Sequence, residues 1–193
     1  MGQAKRRNAE VQKWQASLSP EEKAVADAAQ RLLQRFIDPS EATGMCYRQT
    51  FFLHLYLLDK GIQTTPVVGY VNDGTDDVFV SHAWLDYAGK KTDLALGRAE
   101  RPHLNPPGDI LILDFPFRRA GKYTYHLTKS AAAIAVEKEW LNDPRGAGVV
   151  RNKAAEHEAM ERRASNPQDM RGFLDLAPDG LTYSRIASII DGG

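Results

Sequence analysis

The sequence predicts an α+β fold with a mostly antiparallel sheet, and three observations carry that prediction. Two segments with helical spacing come first, at residues 19–37 and 45–60. Five short strand-like segments follow between residues 62 and 129, parted by turn residues, and helical spacing returns from Ser130. Strands that succeed one another through short turns pair antiparallel, whereas a parallel sheet needs a crossover between them. With 193 residues, 42% hydrophobic and 26% charged, the chain can bury a core and has an ordinary globular composition.

Residues 1–18 contain "GQAKRRNAEVQKWQ", a basic arm expected to be loosely ordered. A cluster this short reads as a solvated tail before it reads as a nucleic-acid contact. "SPEEKAVADAAQRLLQRFI" opens with Ser19, Pro20 and Glu22, a capping box with proline at the first helical position. Ala24, Ala28, Leu32 and Phe36 give that helix one apolar face, and "DPSEATG" ends it. The next helix is expected from about Met45 to Lys60, with Thr43 as its cap and Gly61 as its stop. It is apolar nearly all round, which predicts a central, buried position.

The strands are expected in "IQTTPVVGYV", "DVFVSHAWLDY", "KKTDLAL", "DILILDF" and "YTYHLTK". "NDGTD", "AGK" and the proline-rich "RPHLNPPG" separate them, and Asn72-Asp73-Gly74 has the composition of a hairpin connection. Beyond them, "SAAAIAVEKEWL" and "RNKAAEHEAMERRA" read as helices divided by "NDPRGAG", with a short last helix around "YSRIASII". The "EHEAMERR" run reads as a solvated helical face, with His157 exposed on it.

Charge and cysteine usage narrow the function classes. Twenty-five basic residues balance twenty-five acidic ones, so no net field favours nucleic acid or an anionic membrane. The single cysteine, Cys46, rules out an intramolecular disulfide framework and fits a reducing compartment. The start of the chain has no apolar signal core, and the longest apolar run, Phe51 to Leu58, is too short to span a bilayer. A cytoplasmic location is therefore expected. One cysteine with scattered histidines gives no zinc-ligand pair, and no glycine-rich phosphate loop is present, so neither metal nor cofactor is expected.

Cys46 begins a helix, and that position makes it a candidate nucleophile as well as a small buried hydrophobe. A free cysteine, with a pKa of about 8.5, is mostly thiol at neutral pH, while attack requires the thiolate. The unpaired N–H groups at a helix start, and about half a positive charge there, favour the thiolate. The Cys46 N–H is also a natural oxyanion donor.

A base and its orienting acid follow from strand geometry. If Ala88-Gly89 is a two-residue hairpin tip, Leu85 faces Thr92, Trp84 faces Asp93 and His82 faces Ala95. Asp93 then shares a face with His82 and lies diagonal to it, about 7–8 Å away at the backbone. A tip of odd length would separate the two. His54 is no substitute for His82, since it lies about 12 Å further along the cysteine helix. His103 in the proline-rich loop and His126 on the last strand are weaker substitutes. Taken singly, Cys46, His82 and Asp93 each read as structural residues. Together, in this order and on these elements, they read as nucleophile, base and orienting carboxylate.

A helix-borne "GMCYRQ", a helix ending in "KGI", the strand "PVVGYV" and then "SHAWLDYAGKKTDLA" resemble the transglutaminase-like branch of the papain-like cysteine enzymes. The likeness covers residues 43–95 and is closest to compact bacterial members such as peptidases that remove lasso-peptide leaders. The chain is accordingly expected to divide into the arm over 1–18, a papain-like core over 19–129 with its cysteine helix packed on the sheet, and a helical extension over 130–193. The likeness also implies Cys46 as nucleophile, His82 as general base and acid, and Asp93 as the orienting carboxylate. Tyr47 takes the aromatic place beside the cysteine, and Trp84 packs under the site. Asp93 leads into Leu94-Ala95-Leu96, where the family often has proline or threonine.

The expected activity is cleavage of an amide bond in a peptide or protein substrate through a thioester, by a peptidase or amidohydrolase without metal or cofactor. Two alternatives stand beside it: transfer to an amine acceptor with the same triad, and a non-catalytic binding module on the same fold.

Overall fold

A computed structural model describes residues 2–41, 43–103, 105–177 and 180–192. Met1 of the basic arm and Leu104 of the proline-rich loop lie outside the described residues. The chain is α+β, and among the described residues seven helices of eight or more residues surround antiparallel sheets. The helices are α1 (Gln3–Ala16), α2 (Pro20–Leu32), α3 (Cys46–Leu58), α4 (Ala131–Asn142), α5 (Pro144–Ala164), α6 (Pro167–Asp175) and α7 (Tyr183–Asp191). The strands are β1 (Thr65–Asn72), β2 (Val80–Tyr87), β3 (Lys90–Thr92), β4 (Ile110–Ile112), β5 (Phe115–Arg118) and β6 (Thr124–His126). One sheet has the order β3-β2-β1-β6, and β4-β5 form a second. No described helix is long and apolar enough to cross a membrane.

The expected centre is α3. Every residue from Gln49 to Leu57 is buried, because its apolar side chains face the sheet on one side and helices on the others. Its end is a Schellman motif: Gly61, at φ 78°, donates to Leu58 and Ile62 donates to Leu57. Ser19 and Glu22 form the capping box that opens α2, with each side chain accepting from the other's backbone N–H. Val25, Ala29 and Leu32 of α2 are buried in the core. The chain then loosens into a π-helical turn at Leu33–Ile37.

Three regions depart from the sequence reading. The basic arm is not loose: α1 docks on the β4-β5 hairpin. Trp14 stacks on Phe115 with ring centres 4.5 Å apart, Arg119 bonds Glu10 at 2.8 Å, and Arg7 donates to the carbonyls of Pro116 and Phe117. The segment "DILILDF" is not one strand but the start of that hairpin. Its turn at Leu113–Asp114 holds both residues at positive φ, 52° and 62°. Thr92 Oγ1 accepts from the Leu113 N–H, and the Lys91 carbonyl accepts from Asp114, so long-range bonds enforce the reversal.

The C-terminal helices are not appended to the core; they complete it. Met160, Met170, Leu174, Tyr183, Ile186 and Ile190 are buried in one cluster with Phe51, Phe52 and Leu32. "NDPRGAG" is not a loop either. Asp143 caps α5 by accepting from Arg145 N–H, and Pro144 is its first residue. Asn166 and Pro167 open α6 in the same way.

Candidate active site

Cys46 is the first residue of α3 and is half-buried. Thr43 is not the cap. Met45 holds that place, and it makes no side-chain capping hydrogen bond. Cys46 therefore stands at a helix start, where the first N–H groups have no partner within the helix.

The β2-β3 hairpin has the register that a two-residue tip dictates: Leu85 faces Thr92, Asp86 faces Lys91 and Tyr87 faces Lys90. Ala88 and Gly89 turn with φ of 52° and 78°, both left-handed as a type I′ turn requires. Asp93 leaves β3 but keeps its face, since its backbone N–H and carbonyl bond Leu111 of β4 at 2.8 and 2.9 Å. His82 Nε2 lies 2.7 Å from Asp93 Oδ2, and both residues are buried.

Burial alone would push the His82 imidazole down. The Asp93 charge and hydrogen bond, followed by the hydrogen bond and charge of Cys46, outweigh that effect and push it up to about 10. His82 is thus the residue that joins Asp93 to Cys46. Asp93 takes Nε2. Cys46, His82 and Asp93 come together.

Trp84 is buried two residues along β2 from His82, with its ring edge-on to Tyr125 at 5.1 Å. Gly69, opposite His82 on β1, makes room for it: a Cβ there would lie 2.7 Å from the Trp84 ring and 2.5 Å from the His126 carbonyl. Tyr47 is buried, and its hydroxyl is 2.5 Å from Ser81 Oγ. Burial pushes its phenol up.

Two residues absent from the sequence-based site belong to its surroundings. Tyr125 of β6 donates to Asp93 Oδ2 at 2.8 Å. Burial first, then the Asp93 charge, holds its phenol far above the usual range, so it remains a donor. The other is Ser81, whose Oγ is 2.5 Å from His157 Nδ1.

His157 is not exposed. It is buried between α5 and β1, stacked on Tyr70 with ring centres 4.3 Å apart, and its Nε2 faces Glu161 at 3.4 Å. Burial lowers its pKa while Glu161 opposes the shift. The charge run is thus solvated on one side only.

The other histidines stand elsewhere. His54 is buried on α3 and bonds Thr64 Oγ1 at 2.9 Å, and burial pushes its pKa down. His103 is exposed, and His126 bonds Thr124 of its own strand. Among the described residues no group of three or more His, Cys, Asp or Glu is placed to hold a metal ion. Compared with family models, curated proteins and solved structures, the chain matches none of them.

Proposed function

We propose that this chain is a cysteine-dependent acyl-transfer enzyme that cleaves an amide bond in a peptide or protein substrate, with a papain-like, transglutaminase-like core. One observation carries the reading. A half-buried cysteine at a helix start raises the pKa of a histidine whose Nε2 is hydrogen-bonded to a buried carboxylate.

The chemistry follows from those positions. The imidazolium of His82 favours the thiolate of Cys46, which attacks the carbonyl carbon and pushes its electrons onto oxygen. The Cys46 N–H at the start of α3 stabilises that oxyanion. Collapse breaks the C–N bond, and His82 gives its proton to the departing amine. The resulting thioester is then attacked by water, whose proton His82 takes. The second tetrahedral intermediate expels the Cys46 sulfur and releases a carboxylic acid. Asp93 holds the ring in place throughout and offsets its charge.

Alkylation of Cys46 by iodoacetamide across pH tests the reading. Wild-type thiol should react rapidly near neutral pH, and His82→Ala should move the rate profile upward in pH. A wild-type profile like that of a free thiol, or reaction only after unfolding, overturns the proposal in favour of a binding module. Product analysis of a cleaved peptide with and without a primary amine then separates hydrolysis from transfer.

A further inference from the structure

We propose that Tyr125 is a positioning residue of the Cys46–His82–Asp93 site, fixing the rotation of the Asp93 carboxylate so that Oδ2 presents itself to His82 Nε2. The inference rests on the reading of that site as catalytic. Asp93 accepts from three donors: Ala95 N–H on Oδ1 at 2.9 Å, and both His82 and Tyr125 on Oδ2 at 2.7 and 2.8 Å. Ala95 is two residues away and only ties the carboxylate to its own backbone. Tyr125 is 32 residues on, in the strand at the opposite edge of the sheet from β3.

That contact is built rather than incidental. Tyr125 pairs with Val71 of β1, and Val71 pairs with Val80, which puts Tyr125 on the sheet face of His82 and Trp84. Flat strands are spaced about 4.8 Å apart, so three spacings exceed the reach of a tyrosine and an aspartate together. The sheet must curl for the two side chains to meet. The side-chain-free Gly69 on the same face leaves the space in which Trp84 meets Tyr125 edge-on.

A phenol that stays protonated supplies a donor at every working pH. With both Oδ2 donors in place the carboxylate has one low-energy rotation. Without Tyr125, only His82 and the local Ala95 bond hold it, and it can turn from the ring.

Tyr125→Phe keeps the ring against Trp84 and removes the donor. The expected result is a fall in Cys46 alkylation at pH 6.5 of about tenfold, the rate equivalent of one hydrogen bond to a charged group. The pH profile should move in the direction of His82→Ala but by less. With Asp93→Asn already present, Tyr125→Phe should change the rate no further. Placing 4-aminophenylalanine at position 125, which restores a donor at the same point, should recover most of the rate. Should the Phe variant not fold, 4-fluorophenylalanine at position 125 gives the same donor-free comparison in a near-isosteric ring.

A donor-free variant with lowered thermal stability but an unchanged alkylation profile overturns the proposal and leaves Tyr125 structural. If His82→Ala also leaves the profile unchanged, the catalytic reading fails first. A strong His82→Ala effect beside a silent Tyr125 variant removes the positioning role alone.

Discussion

Leu85 stands directly opposite Thr92 across the β2-β3 hairpin, and this pairing decides which side of the sheet Asp93 takes. Shifting it by one residue would turn Asp93 away from His82 and replace a 2.7 Å hydrogen bond with a buried, unpaired carboxylate. The register depends on the two-residue tip, where Ala88 is held at φ 52°.

Ala88 is an unfavourable residue for that conformation, and asparagine tolerates it better. Ala88→Asn should raise the unfolding free energy by about 0.5–1 kcal/mol. Equilibrium denaturation in urea checks the increase, and Cys46 alkylation should be unchanged because the register is kept.

Protonation of His82 links the site to stability. Its folded value of about 10 lies above the ordinary 6.5, so the imidazolium stabilises the fold fully below about pH 6.5. Above that pH the unfolded chain loses the proton while the folded one keeps it. Stability should therefore fall as pH rises from about 6.5 through about 10. Asp93→Asn removes the charge that raises His82 and should flatten this decline, as measured by denaturation at a series of pH values.

Ser81 is the middle of a second polar chain, between the Tyr47 hydroxyl and His157 Nδ1. Ser81→Ala leaves both buried groups without that partner. A loss of about 1–3 kcal/mol is expected from the stranded polar atoms, read as a lower urea midpoint with an unchanged slope.

Gly69 is where the backbone of β1 passes closest to the Trp84 ring and the His126 carbonyl. Gly69→Ala places a methyl against both, and the carbonyl belongs to a paired strand that cannot retreat cheaply. Destabilisation of about 1–3 kcal/mol is expected, with a change in tryptophan fluorescence as Trp84 is displaced.

The parts legible in the sequence were those set by local rules. The apolar run of α3, the Ser19 capping box and the even-length tip at Ala88-Gly89 each depend on residues a few positions apart. The alignment of His82 with Asp93 follows from that tip by parity alone. What escaped depended on distant partners. Trp14 finds Phe115 a hundred positions along, so the order of α1 is not written in the arm itself.

His157 is buried because Tyr70 and Ser81 lie against α5, which its charged neighbours do not reveal. Leu113 takes a left-handed conformation unusual for leucine because Thr92 and Lys91 bond the turn. Tyr125 reaches Asp93 only through the curl of the sheet. In contrast, α6 had a readable start in Asn166-Pro167 and apolar spacing through Met170 and Leu174, a local signal passed over.

Asp93 exchanges both of its backbone hydrogen bonds with Leu111, so the residue that steadies His82 is also a stitch between the two sheets. Nascent chains that have made α3 and β2 but not yet β4 carry the sulfur and the imidazole without the anchor behind them. The carboxylate behind His82 is thus fixed by a contact that joins the two sheets.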